Sequence, residues 1–302
     1  MMYNHRPMPP SAITIQILVC LIWALGHVGV KSVSDQISPA FHGGIRSFGA
    51  TLLLILWIQW RRIPVWKRDG TLWLGLAAGT LFGIEFVLLF VGLNMTSAAR
   101  GTLLLYSAPF FVAIGAHFFV PNDKLTKNKI IGLSLAFTGL ILVFWERLAV
   151  PATASIKDWH TGIIGDLLCL GAASLWGATT VLVKATKLKH CPPEKNLFYQ
   201  LAVSVPVLLI AAWVMGEQGV TQYSTQLTAV IAFGVFVVAS SSFLTWFWLI
   251  SKYPATVLHA FTFLTPLFGV VLAALLLHES ISAFLITGSI LIAAGIVLVN
   301  RQ

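Results

Sequence analysis

The sequence predicts an all-α integral membrane protein with ten transmembrane helices, arranged as two inverted five-helix repeats. Of its 302 residues, 58% are hydrophobic and only 10% are charged, and the mean hydropathy is +0.88. A single soluble core could not bury that much apolar surface. The same landmark residues recur in the same order in both halves, which indicates a duplicated membrane unit.

The landmarks are a Trp, a Lys eight residues later, a Pro and then two Gly. They are Trp23, Lys31, Pro109, Gly132 and Gly139 in the first half, and Trp176, Lys184, Pro266, Gly288 and Gly295 in the second. If each unit crosses the membrane an odd number of times, the second copy is upside down relative to the first. That relation favours a symmetric carrier with two sides.

Apolar runs long enough to cross a hydrocarbon core of about 30 Å define the helices one by one. They cover residues 11–30, 41–60, 71–93, 101–120, 129–145, 162–183, 196–215, 226–249, 255–277 and 281–299. None shows the period-2 alternation of a membrane β-strand. We therefore predict a first five-helix repeat over residues 1–146, an extracytoplasmic linker over 147–161 and a second repeat over 162–302.

The basic residues report the topology of the chain. With the N-terminus inside, 14 of the 19 Lys and Arg residues fall on the inner side, so both termini are predicted to be cytoplasmic. The net charge of +9 has this explanation, and no nucleic-acid partner is expected. The expected partners are a small-molecule substrate and membrane lipid, and the protein is expected to be a monomer or a homodimer.

Motifs for cofactors and for catalysis are missing from the sequence. Cys20, Cys169 and Cys191 are widely spaced, with no CxxC or Cys/His cluster, so no metal site and no cofactor are expected. There is no GxxxxGK[ST] loop for ATP and no HExxH motif. We expect that the protein is not an enzyme.

Two long segments resemble the paired repeats of EamA-type transporters of the drug/metabolite transporter superfamily. They are LLFVGLNMTSAARGTLLLYSAPFFVAIGAHFF with KIIGLSLAFTGLILVF, and WLISKYPATVLHAFTFLTPLFGVVLAALLLHESISAFLITGSILIAAGIVLV. LWGATTVLVK and Arg46 extend the resemblance to essentially the whole chain. The resemblance implies a ten-helix carrier of inverted repeats in a bacterial inner membrane, usually an exporter of small metabolites or amino acids. The family has an acidic residue after the ninth helix, here Glu279, whereas the first repeat offers only Asp123 nearby.

Glu85 is the one acidic residue well inside a predicted span. An ionised carboxylate there costs about 2.5 to 3.5 kcal/mol, so it should face a cavity or a partner, or stay protonated. We regard it as a candidate proton-coupling and substrate site; the alternative is a neutral Glu that bonds to a neighbouring helix. When Pro109 is aligned with Pro266, Ser242 lies opposite Glu85 in the second repeat.

Aromatic and hydroxyl groups extend this candidate substrate site. Pro109 and Pro266 should each break a helix and free a carbonyl group. Near them, Tyr106, His259 and Thr262 could face the substrate, although His259 could equally be a packing residue. Trp23 and Trp176 could line a cavity or pack helices together.

The remaining charges and glycines have simpler interpretations. Arg46 lies inside a span, where it could pair with a substrate carboxylate or anchor the helix end. Lys31 and Lys184 are explained by side chains that extend to the interface. Gly75, Gly79 and Gly83 form a stripe of small residues for close helix packing, and Glu85 points away from that stripe.

The leading hypothesis is a secondary transporter that exports small amphipathic metabolites, with amino acids foremost, by alternating access driven by proton exchange. A membrane scaffold or receptor that does not transport is the alternative, and an intramembrane enzyme is a weaker one. Saturable transport would distinguish the transporter from the scaffold. Chemical change of the substrate would indicate the enzyme.

Overall fold

The computed structural model describes residues 8–67, 69–96, 98–143, 145, 156–277 and 283–301. Within them the chain is helical, with no strand and a single isolated β-bridge between Ile37 and Val220. The α-helices are α1 Pro10–Ser32, α2 Pro39–Trp60, α3 Leu72–Met95, α4 Ala98–Leu105, α5 Ala108–Phe119, α6 Lys127–Val143, α7 Ile156–Ala185, α8 Pro193–Val214, α9 Thr225–Phe233, α10 Phe243–Lys252, α11 Ala255–Phe261, α12 Leu264–Leu277 and α13 Ala283–Asn300. A 3₁₀ turn covers Lys187–His190, and a π-helix, Gly234–Ser242, joins α9 to α10.

Eight helical segments of the described chain are long and apolar enough to cross a membrane. They are Pro10–Ser32, Pro39–Trp60, Leu72–Met95, Gly101–Phe119, Thr161–Ala185, Pro193–Val214, Thr225–Lys252 and Ala255–Leu272, and a shorter apolar helix covers Ile286–Asn300. Their lengths of 18 to 28 residues suit a hydrocarbon core of about 30 Å. The chain is therefore an integral membrane protein.

The landmark prolines mark breaks in two of these segments, as predicted. α4 ends at Leu105 and α5 begins at Ala108, so that Pro109 lies in the first turn of the new helix. In the other break, α11 ends at Phe261 and α12 begins at Leu264, two residues before Pro266. A proline costs least at this place because the first turn of a helix needs no internal N–H bond.

The landmark glycines bring α6 and α13 into close contact. A Cβ atom at Gly132 would lie 2.7 Å from the carbonyl oxygen of Gly295, and one at Gly139 would lie 2.6 Å from that of Gly288. The two pairs run in opposite directions along the two helices, so α6 and α13 cross antiparallel. The glycines allow the two backbones to touch.

The predicted glycine stripe of α3 packs against α8. A Cβ at Gly75 would clash with the ring of Tyr199, one at Gly79 with the carbonyl oxygen of Tyr199, and one at Gly83 with the side chain of Val207. The packing role predicted for the stripe is confirmed. This contact fixes the rotation of α3 and so turns Glu85 toward the middle of the bundle.

The loop between α2 and α3 is anchored to the start of α8 by an ion pair. Lys195 Nζ donates to Asp69 Oδ2 over 2.7 Å and to the carbonyl oxygen of Lys67 over 3.1 Å. The Lys195 ammonium, followed by the Thr71 hydroxyl, holds the pKa of the Asp69 carboxyl well below its usual range. We call this end of the bundle, which also carries Met8 and Arg301, the terminal end.

Candidate functional site

A cavity lies in the middle of the bundle. Its volume is about 110 Å³, which is room for a small organic group or a few water molecules. Residues of α1, α2, α3, α7, α8 and α10 line it, together with the end of α4, α9 and the π-helix. The helices that carry the Trp landmarks, α1 and α7, therefore meet at this cavity.

Aromatic rings form most of one wall. The rings of Trp23 and Trp176 lie 6.1 Å apart between centroids, and Trp23 also contacts Trp246 at 5.2 Å and Phe243 at 5.9 Å. Tyr106 meets Trp176 edge-on at 6.0 Å. Such a wall can hold the apolar body of a substrate without fixing its identity.

Four polar side chains of the lining have buried atoms with no hydrogen-bond partner. The atoms are Glu85 Oε2, Arg46 Nε, His42 Nε2 and Gln200 Nε2, and all four residues line the cavity. Only 6% of Glu85, 3% of His42 and 2% of Gln200 is exposed. A buried polar atom without a hydrogen-bond partner is costly. A bound molecule that supplied hydrogen bonds to these four atoms would remove that cost.

Contacts on two sides hold Arg46 in place. Its guanidinium lies 4.9 Å from the centre of the Phe86 ring, and its side-chain stem packs at about 3.5 Å over the position of a Cβ on Gly234. Phe86 is the neighbour of Glu85 in α3, and both Arg46 and Glu85 line the cavity. Yet Arg46 and Glu85, both within the described residues, form no ion pair.

The π-helix beside Arg46 is stabilised by its own serines. Ser240 and Ser241 donate to the carbonyl oxygens of Val235 and Phe236, five residues earlier in each case. Ser242 accepts a hydrogen bond of 2.9 Å from Trp23 Nε1. π-helices are rare and often occur at functional sites.

Five of the eight residues predicted for the site line the cavity, and three do not. Those that line it are Glu85, Arg46, Trp23, Trp176 and Tyr106. Ser242 lies behind Trp23. His259 and Thr262 have no exposed surface; His259 shares a hydrogen bond of 3.0 Å with Thr180, and the Thr262 hydroxyl donates to the His259 carbonyl oxygen.

His259 and Thr262, which their spacing predicts to form a substrate-facing stripe, lie outside the cavity lining in this structure, and their role in substrate binding stays a prediction. Spacing shows that two residues share a face, but not which neighbour the face meets. Here His259 packs between the rings of Trp176 at 5.2 Å and Trp246 at 5.1 Å. It therefore supports the aromatic wall from behind.

The sequence interpretation did not include His42, Gln200, His27, Thr179 or Thr180 in the site, although all five line the cavity. One signal could have identified Gln200. Helices α2 and α8 each begin with a proline, Pro39 and Pro193, and Arg46 and Gln200 both lie seven residues beyond it. Gln200 is thus the counterpart of Arg46 in the second half.

Toward the terminal end the cavity is bounded by Val183 and Ile250, next to a tie between α7 and α10. Lys184 Nζ donates to the carbonyl oxygens of Ile250 at 2.7 Å and of Tyr253 at 2.9 Å. The prediction that the Lys184 side chain simply extends to the membrane interface is therefore wrong. Its ammonium caps the C-terminus of α10. Lys31, its landmark counterpart, is exposed.

Asp123 forms a second tie at the terminal end. Its carboxylate accepts 2.8 Å from Lys129 Nζ and 3.2 Å from the backbone N–H of Thr256, in the first turn of α11. Asp123 and Lys129 are both buried. Glu279, the acidic residue of the family pattern in the second repeat, lies outside the described residues.

Comparison with known proteins gives consistent matches over the whole chain. The profile of the EamA-like transporter family matches residues 10–145 and 163–301. An "Uncharacterized transporter YoaV" of Bacillus subtilis is 27% identical, over 93% of both chains. A "Probable amino-acid metabolite efflux pump" of Salmonella typhimurium is 25% identical, over 93% of this chain and 92% of its own.

A solved crystal structure has the same fold. It superposes with a TM-score of 0.78 and covers 96% of this chain and 98% of its own. Because the two sequences are 17% identical, this likeness concerns the fold alone. The family and the names of the relatives point to a membrane transporter, not to an enzyme.

Proposed function

The chain belongs to the EamA-like transporter family, and from this we propose that it is a secondary transporter exporting small amphipathic metabolites, amino acids or related compounds, across a bacterial inner membrane. The observation that carries the proposal is the central cavity. Its aromatic wall suits an apolar body, and the unpartnered Glu85, Arg46 and Gln200 suit a polar head. The name of one relative, the "Probable amino-acid metabolite efflux pump" of Salmonella typhimurium, supports amino-acid export.

The proposed architecture is ten membrane helices in two inverted repeats, residues 1–146 and 162–302, joined by an extracytoplasmic linker over 147–161. The antiparallel glycine contacts of α6 and α13 support it, since a twofold axis in the membrane plane exchanges the Gly132–Gly295 contact with the Gly139–Gly288 contact. Both termini are cytoplasmic in this proposal. The cavity then lies between the repeats and is exposed to one side at a time.

Proton exchange at Glu85 is the proposed drive. The carboxylate lies in an apolar stretch of α3, and the titratable groups that share the cavity are Arg46, His42, His27 and Tyr106. When the empty transporter returns to its starting conformation, a proton neutralises Glu85. An unpaired charge in the apolar interior would make this return unfavourable. Substrate binding on one side and protonation on the other would couple the two movements.

Uptake into proteoliposomes tests the proposal. With an imposed pH gradient and a panel of labelled amino acids, the wild type should show saturable, gradient-dependent uptake, which Glu85→Gln should reduce by at least about tenfold. Asp35→Asn makes the same chemical change at an exposed loop residue and should leave uptake unchanged. Uptake unaffected by Glu85→Gln would reject proton coupling at Glu85, and no uptake of any panel member would reject amino acids as cargo.

Alternating access predicts that the Lys184 tie must break when the cavity opens to the cytoplasm. Lys184→Met removes both hydrogen bonds to the end of α10, so that opening should become roughly severalfold more frequent. The measurement is labelling of Thr179→Cys, in a chain with Cys20, Cys169 and Cys191 replaced, by an impermeant maleimide from the cytoplasmic side.

Lys252→Met is the matched control for this experiment. Lys252 is exposed, and its ammonium lies 4.2 Å from the Trp248 ring and donates to neither carbonyl oxygen of the tie. It should leave the labelling rate of Thr179→Cys unchanged. Equal labelling in Lys184→Met and wild type would show that the tie does not hold the cavity closed.

A further inference from the structure

The two halves of the protein differ in charge at matching positions, three of which line the cavity while the fourth, Ser242, lies behind Trp23. Arg46 and Gln200 match when counted from the first prolines of α2 and α8, and Glu85 and Ser242 match when Pro109 is aligned with Pro266. The first half therefore supplies one charge of each sign. The second half supplies an amide and a hydroxyl at the corresponding positions.

Geometry places the two charges together without pairing them. Arg46 stacks on Phe86 at 4.9 Å, one residue from Glu85 along α3. Arg46 Nε and Glu85 Oε2 are nevertheless both buried without a hydrogen-bond partner. Opposite charges so placed are expensive to leave unmatched inside a protein, and each retains the capacity to bind a group of the opposite sign.

The charge of the occupant follows from this arrangement. An anion alone would satisfy Arg46 and leave the Glu85 carboxylate unmatched, and a cation alone would do the reverse. An occupant that carries an ammonium and a carboxylate on the same carbon atom can bind Glu85 and Arg46 at once. The apolar wall of Trp23, Trp176 and Trp246 can contact the rest of the bound molecule.

Building on the proposed function, we propose that the cavity selects zwitterions: Arg46 binds the carboxylate and Glu85 the ammonium of an α-amino acid whose apolar side chain lies against the tryptophan wall. A bidentate contact from a guanidinium suits a carboxylate. The two charged groups of the head then both contact the first repeat. Amines without a carboxylate, and acids without an amine, are poor ligands.

Competition binding to the purified protein in detergent at constant pH tests this inference, and the probe is labelled phenylalanine. Phenethylamine lacks the carboxylate of phenylalanine, and 3-phenylpropionate lacks its amine, while both keep the aromatic body. Each should bind at least about tenfold more weakly than phenylalanine, because each leaves one buried charge unmatched.

Two variants assign the roles. Arg46→Gln introduces the residue that the second half already has, and it should remove the discrimination against phenethylamine while that against 3-phenylpropionate persists. Glu85→Gln should do the opposite. Ser34→Ala, at an exposed serine of the loop after α1 whose hydroxyl donates to the Lys31 carbonyl oxygen, should preserve the wild-type order.

Several results would overturn the inference. They are equal binding of the three ligands to the wild type, an equal loss for all three ligands in both variants, and no saturable binding of phenylalanine. The assay requires no transport, so zwitterion selectivity without uptake into proteoliposomes would count against the proposed function alone. Uptake of amines as readily as amino acids would leave the transporter and reject the selectivity.

Discussion

Gly132→Ala is expected to destabilise the protein strongly, by about 1 to 3 kcal/mol or more. The added Cβ would lie 2.7 Å from the carbonyl oxygen of Gly295 and 2.7 Å from Cγ2 of Val299. The carbonyl belongs to the backbone of α13 and cannot rotate away, so the two helices must separate. Thermal unfolding in detergent should show a lower midpoint temperature.

The reciprocal substitution gives a sharper result. A Cβ at Gly295 would lie 2.5 Å from the carbonyl oxygen of Gly132 and 2.7 Å from the backbone nitrogen of Ala136, so Gly295→Ala should be at least as harmful. The double variant with Gly132→Ala and Gly295→Ala should lose less stability than the sum of the two single variants, because one separation of the helices accommodates both methyl groups. Additive losses would indicate that the two glycines act independently.

Gly269→Ala is the matched control for both substitutions. Gly269 lies in α12, and a Cβ there would meet no atom within 4 Å. The same change should therefore be neutral or stabilise by up to about 1 kcal/mol, the intrinsic helical advantage of alanine. A loss at Gly269 as large as at Gly132 would reject the close crossing as the cause.

Hydropathy was sufficient to predict the eight membrane-spanning segments that the described residues contain, because each must satisfy its own backbone hydrogen bonds in lipid. The run 11–30 corresponds to α1, Pro10–Ser32, and 41–60 to α2, Pro39–Trp60. The prolines also predicted the breaks before α5 and near the start of α12. What hydropathy could not predict is the π-helix in Gly234–Ser242, since its extra residue per turn leaves composition unchanged.

A residue that lines the cavity was predictable where it is costly in lipid. Glu85 and Arg46 were identified because a charge within an apolar run requires a polar neighbour, and both line the cavity. Gln200 and His42 are neutral and cheaper to bury, so nothing in their own segments singled them out. His259 and Thr262 lie outside the cavity lining because of the way their segment is rotated. That rotation depends on packing against distant parts of the chain, which the spacing of residues along one helix cannot predict.

Lys129→Met is the second substitution expected to have a large effect. Lys129 Nζ donates to Asp123 Oδ1 at 2.8 Å and to the carbonyl oxygen of Lys124 at 2.9 Å, and both members of the ion pair are buried. Without the lysine, the Asp123 carboxylate stays buried with only the N–H of Thr256 to stabilise it. Breaking a buried pair in this way costs about 3 to 5 kcal/mol, which should appear as a lower unfolding temperature in detergent.

A second change should restore much of that loss. In Asp123→Asn with Lys129→Met, the asparagine can still accept the 3.2 Å hydrogen bond from Thr256 through its side-chain oxygen, and no charge remains buried. The double variant should therefore unfold at a higher temperature than Lys129→Met alone. If the double variant is the less stable of the two, the uncompensated carboxylate is not the cause, and the methylene stem of Lys129 supplies the stability instead.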